Sequence, residues 1–166
     1  QPNGNVIDLS ECLTLLDLFQ LDLRQARLVA LSACETGLSD LNSLSDEVVG
    51  LSSGFLYAGC NSVIGSLWSV PDISTGLLMA QFYRLLMAQT CQGQPGDVAL
   101  ALKQAQHWLR TLTFDDLSAQ RSAIPEAMRD NFEHDLKWLE QKAAVSGDNH
   151  PFRSLYYWAA FTAVGQ

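Results

Sequence analysis

The stretch Leu28-Val29-Ala30-Leu31-Ser32-Ala33-Cys34-Glu35-Thr36-Gly37 reads as a strand that ends on a thiol. Its apolar start has no polar alternation, which marks a strand covered on both faces and therefore a parallel sheet. Small or turn-forming residues surround Cys34, and the glycine at 37 allows close backbone approach. Side chains at the carboxyl edge of an open parallel sheet project into the crevice where such folds bind ligands. The loop that follows can aim backbone N–H groups at the same point. The residues alone leave two readings of Cys34, a displayed thiol or a small buried core residue.

Working outward, Leu13 to Leu23 predicts a short helix or turn leading into the sheet. Downstream, the Ser, Asp, Asn and Gly content of 37–45 predicts a loop, and Ser45 or Asp46 is expected to cap a helix reaching about Ala58. Gly59 closes that helix, and Asn61-Ser62 turns the chain into Val63–Trp68, a second buried strand. Strand, helix, strand predicts a right-handed crossover unit. Pro71, with Asp72 as the expected N-cap, opens a long helix with a broad apolar face that includes Ile73, Leu77, Phe82 and Leu86. Asp97 to Leu112 and Pro125 to Ala144 have the spacing of two more helices. The stretch 113–124 between them reads as an insertion with little core of its own. Tyr156 to Gly165, aromatic and β-branched, reads as a last strand.

A chain of 166 residues that is 48% hydrophobic is enough for one substantial core, so a single domain spanning 1–166 is expected. The net charge of -8, with only ten Lys and Arg spread along the chain, argues against a nucleic-acid partner. No apolar run approaches the ~18 residues of a membrane span, and the N-terminus lacks the order of a signal peptide. The expectation is a cytoplasmic protein with no membrane partner. Cys12, Cys34, Cys60 and Cys91 have no paired spacing that would suggest a zinc site or a disulfide framework, and Cys12 and Cys60 read as core residues. No cofactor and no metal site are expected.

Several motifs stand together in order: Leu31 to Gly37, Val49-Gly50-Leu51, Phe55-Leu56, Ala58-Gly59, Ser66-Leu67-Trp68-Ser69-Val70 with Asp72, then His150-Pro151 and Tyr157-Trp158-Ala159-Ala160-Phe161 with Gly165. In this combination the chain resembles the CHAT family of caspase-like cysteine peptidases, related to separase. The resemblance implies a caspase-like three-layer α/β/α sandwich with a mostly parallel sheet, and a Cys-His dyad that cleaves a protein substrate. It makes Cys34 the nucleophile, with Ala33 and Glu35 in the nucleophile loop whose N–H groups contribute to an oxyanion hole. The family pattern places the catalytic histidine upstream of the cysteine, at the end of a preceding strand. Here 33 residues precede Cys34 and none is His. The expectation is therefore that the N-terminal strands are missing from this chain, and that an upstream segment or second chain supplies the base. Edge pairing or self-association through the truncated sheet follows from the same expectation.

Without a partner, a thiol of pKa near ~8.5 is only a few per cent thiolate at neutral pH. Glu35 beside it opposes ionisation by like charge. His107 and His134 read as solvated or packing residues on helices, and His150 matches a family position that is ordinarily structural, so none is assigned as base. Similarity to separase gives Asp72 a second role beside capping, the binding of a basic side chain before the scissile bond, for which a carboxylate suits Arg. Asp46 and Glu47 form a weaker acidic alternative. Trp68 reads as core or as the wall of a pocket beside Cys34. CHAT domains are commonly joined to tetratricopeptide-repeat modules, which makes such a module an expected partner. A non-catalytic scaffold domain is the competing reading.

Overall fold

A computed structural model describes residues 13–31, 50–91, 96–120 and 126–166, and in it the two apolar runs pair in parallel. Strand β1 (Leu28–Leu31) lies beside β2 (Ser62–Ser66), with Leu28 opposite Ser62 and Leu31 opposite Gly65. β2 is the central strand and is buried at every position, as its unbroken run of small and apolar residues requires. β1, expected to be covered on both faces, is instead half-buried throughout, because among the described residues it pairs on one side only. On the other side β3 (Phe161–Gly165) runs antiparallel to β2, with Phe161 opposite Ser66 and Gly165 opposite Ser62. The sheet among the described residues is thus mixed, and the fold is α/β with a small three-stranded sheet and mostly helical cover.

Helix α1 (Leu15–Leu18) starts on a reciprocal cap: Asp17 N–H donates to the Thr14 hydroxyl at 3.3 Å, and Thr14 N–H donates to the Asp17 carboxylate at 2.8 Å. Helix α2 (Leu51–Tyr57) is entered through Gly50, which makes no side-chain cap. The expected caps Ser45 and Asp46 lie outside the described residues. Gly59, at φ 101°, ends the α2 segment as the sequence predicts, because that backbone region suits only a residue without Cβ.

Helices α3 (Asp72–Cys91) and α4 (Val98–Thr111) pack on each other and carry the core. Leu78 and Phe82 meet Ala101, Ala105 and Leu109 there with no exposed surface. Asp97 caps α4 by accepting from Leu100 N–H at 2.8 Å. Phe132, Leu136 and Leu139, spaced four and three apart on α6 (Glu126–Ser146), close the same core.

Two expectations change. The stretch read as an insertion contains helix α5 (Phe114–Gln120), whose Leu117 is fully buried in the common core. Its start carries a second reciprocal cap, with Asp116 N–H on the Thr113 hydroxyl at 3.2 Å and Thr113 N–H on the Asp116 carboxylate at 3.1 Å. The last strand begins only at Phe161. Before it, Leu155–Trp158 form a single helical turn, α7, because Ser154 caps it by accepting from Tyr156 N–H at 3.4 Å. The local cap thus outweighs the strand preference of three consecutive aromatic residues.

Candidate functional site

Parallel pairing sets two strand ends level. Leu31, the last residue of β1, stands opposite Gly65; Cys34 follows Leu31 by three residues in the sequence and Trp68 follows Gly65 by three. Cys34, with Ala33 and Glu35, lies outside the described residues, as do Asp46 and Glu47. What the structure describes is the neighbouring strand end and the elements gathered on it.

Trp68 is half-buried, with its ring against the core and its indole N–H donating to the Tyr156 carbonyl at 2.9 Å. A second bond, Leu67 N–H to the Ala160 carbonyl at 2.8 Å, secures the same junction. Together they tie the loop after β2 to α7. Tyr157 and Trp158, read from the sequence as strand residues, instead belong to this turn: Tyr157 points into the core, while Leu155 and Tyr156 remain exposed. The contribution of Tyr156 was not visible in the sequence reading. Its signal was Ser154, a capping residue placed two positions ahead.

Asp72 is exposed and opens α3, but it is not the N-cap. Pro71 holds that place, since its carbonyl accepts from Thr75 N–H at 3.1 Å and from the Ser74 hydroxyl at 2.9 Å. Among the described residues no side chain engages the Asp72 carboxylate, which leaves it available for a cation. A negative charge in the first turn is also favoured by the helix dipole. Trp68 and Asp72 therefore leave the carboxyl end of β2 within one short connection, the first anchored and the second projecting.

The three histidines stand in three different places. His107 is exposed on α4, and His134 is exposed on α6 with Nδ1 3.5 Å from Asp135. His150 is half-buried in the turn before α7; its backbone N–H donates to Asp148 Oδ1 at 3.0 Å and its Nδ1 lies 3.4 Å from the same oxygen. The His150 amide is the main reason that the Asp148 carboxyl sits below its usual range, with smaller help from the imidazole and from Arg153 at 3.7 Å. These residues line a cleft of about 140 Å³ together with Lys142 and Tyr157. The sequence reading missed this cluster because its members are spread over α6, a turn and α7.

Cys60, expected in the core, is 4% exposed, and its thiol donates to the Ser62 carbonyl at 3.1 Å. Among the described residues, no group of three or more His, Cys, Asp or Glu stands close enough to hold a metal ion, and no helix is long and apolar enough to cross a membrane. The family model described as the CHAT domain matches residues 4–166. No curated protein and no solved structure matches the chain.

Proposed function

Because this chain belongs to the CHAT domain family, we propose that it is the nucleophile-bearing part of a caspase-like cysteine endopeptidase whose histidine base comes from outside these 166 residues. The observation that carries the reading is the parallel register of Leu31 with Gly65, which brings the strand leading to Cys34 beside the strand leading to Trp68 and Asp72. The proposed chemistry follows from those residue types. The histidine takes the Cys34 proton, and the thiolate sulfur attacks the scissile carbonyl carbon. Backbone N–H groups near Ala33, Cys34 and Glu35 hold the resulting oxyanion. Collapse breaks the C–N bond as the histidine protonates the departing amine, and water then hydrolyses the thioester, returning the thiol and releasing a carboxylate.

Asp72 selects a substrate with a basic residue before the scissile bond, and Trp68 forms the wall against which that residue lies. The exposed, uncommitted carboxylate supports this role. Half-burial of β1 along its whole length supports a larger three-layer sandwich in which further parallel strands extend the sheet beyond it. A tetratricopeptide-repeat module is the partner that membership of the family suggests.

The test joins the chain to the segment that carries the histidine and measures cleavage of a peptide set that varies the residue before the scissile bond. Cys34→Ala is expected to abolish cleavage, and Asp72→Asn to lower kcat/KM for Arg and Lys substrates by about tenfold with little change for Ala. Cleavage that persists in Cys34→Ala overturns the assignment. Substrate binding without any cleavage by the intact protein would favour the scaffold reading.

A further inference from the structure

The turn that joins α6 to α7 folds around the cleft of about 140 Å³. Its lining is cationic in a chain whose net charge is -8. Lys142 enters from α6, with its ammonium 3.4 Å from the Tyr157 hydroxyl, 5.1 Å over the Trp138 ring and 5.7 Å over the Tyr157 ring. Among the described residues the ion pairs of the cluster join Asp148 to His150 and to Arg153, and none involves Lys142. Asp148 is the organiser: it accepts from His150 N–H, and both the His150 imidazole and the Arg153 guanidinium gather on its two oxygens. Among the residues that line the cleft two permanent cations thus outnumber one carboxylate, while a second carboxylate, Asp116, stands near His150 on the side of α5.

We propose that this cleft binds a phosphoryl group and that its occupancy fixes α7 against Trp68. A tetrahedral oxyanion suits donors that converge from different sides, here Lys142 from α6, Arg153 from the turn and the Tyr157 hydroxyl from α7. Donors of this kind suit a terminal phosphate, either free or carried on a protein side chain. Transmission has a short path. The Lys142 contact with Tyr157 is long for a hydrogen bond, and an anion accepting from both would hold the tyrosine in place. Tyr157 is the next residue after Tyr156, whose carbonyl holds the Trp68 indole. The ligand's differential contact with one position of α7 is what allows it to bias that turn.

Nitrogen-15 spectra of the indole N–H groups test both halves, with inorganic phosphate, a phosphoserine peptide and acetate as titrants. Phosphate is expected to shift the Trp138 and Trp68 signals together and saturably. Lys142→Met and Arg153→Gln should each weaken binding about tenfold or more, Lys142→Arg should restore most of it, and Lys103→Met on the exposed side of α4 should change nothing. Tighter binding of the peptide identifies a phosphorylated protein as the source, and equal binding identifies free phosphate. Absence of a saturable shift, equal binding of acetate, or binding insensitive to Lys142 and Arg153 overturns the site. A Trp138 shift without a Trp68 shift overturns the transmission. None of these readouts requires cleavage, so the result stands apart from the fate of the peptidase assignment.

Discussion

Replacing Gly59 by alanine adds one methyl group at the junction between α2 and β2, where φ is 101°. The new Cβ would lie 2.7 Å from Arg24 Cγ and 3.1 Å from the Arg24 backbone nitrogen. The side chain can swing away, because it is largely exposed and its partner, Asp22 at 2.6 Å, is exposed as well. The backbone cannot yield so easily. Leu23 N–H donates to the Ala58 carbonyl at 2.7 Å, and Asn61 N–H donates to the Ala26 carbonyl at 3.3 Å, so the 22–26 turn is bound on both sides of the glycine. Strain at such a φ costs about 1–3 kcal/mol, and weakening one of those backbone bonds adds roughly 1 kcal/mol. We expect Gly59→Ala to lose about 2–4 kcal/mol on that basis. The control is Gly76→Ala, the same added methyl on α3 where nothing lies within 4 Å; helix propensity predicts a gain of up to about 1 kcal/mol. Urea unfolding of the three proteins, compared at constant m, gives both values. Opposite signs are the expected result. A Gly59→Ala protein within about 0.5 kcal/mol of the parent, below the usual cost of backbone strain, would refute the reasoning.

Three other outcomes follow from single contacts. Leu117→Ala should cost about 2–5 kcal/mol in the same unfolding experiment, since its side chain is fully buried; a negligible loss would deny that Leu117 packs in the common core. Trp68→Phe keeps the ring but removes the donor to Tyr156, so it should cost about 0.5–1.5 kcal/mol and speed hydrogen exchange at Tyr157 and Ala159, whose amides close the α7 turn; unchanged exchange would deny that Trp68 holds the turn. The carboxyls of Asp17, Asp116 and Asp148 are depressed, by the Thr14 hydroxyl, the Thr113 hydroxyl and the His150 amide respectively. Each contributes stability above the unfolded carboxyl value of about 3.9 that is lost as pH falls through the lower folded value. Asp148→Asn should therefore flatten the acid limb of a stability-pH curve, and an unaltered limb would count against the pairing.

The parts of the fold that were legible in the sequence are those where one local signal dominates. β1 and β2 declare themselves by apolar runs without alternation, α4 by Asp97 and a strict apolar spacing, and the α2 terminus by Gly59. The errors fall where two signals compete over a short stretch. At 156–165 the aromatic run favoured a strand, yet the Ser154 hydroxyl captures Tyr156 N–H and turns its start into helix. At 113–124 the sparse apolar content hid Leu117, a single side chain that a core can still take in. Asp72 looked like a cap because acids favour helix starts, whereas the Pro71 carbonyl takes the first helical bond and shifts the boundary by one residue. Trp68, read as core or as a pocket wall, is half-buried against the core, but its anchoring partner lies 88 positions away and has no sequence signature.

The direction of β3 explains why so much collects at one edge of the sheet. Because β3 runs antiparallel, its first residue, Phe161, stands opposite Ser66 at the carboxyl end of β2, and whatever immediately precedes it must sit at that edge. What precedes it is α7, so the aromatic turn lands where parallel strands present their functional ends. Its residues then divide by side. Tyr157 turns inward to Phe152 at 5.5 Å and reaches Lys142 through its hydroxyl, while the Tyr156 carbonyl faces Trp68. Adjacent residues thus serve two separate attachments, and substitutions can separate them. Tyr157→Phe should disturb the cleft while leaving the Trp68 anchor intact, whereas Trp68→Phe should release the anchor while leaving the cleft donors in place. A single antiparallel strand, added to a parallel pair, is what makes one helical turn answerable to both.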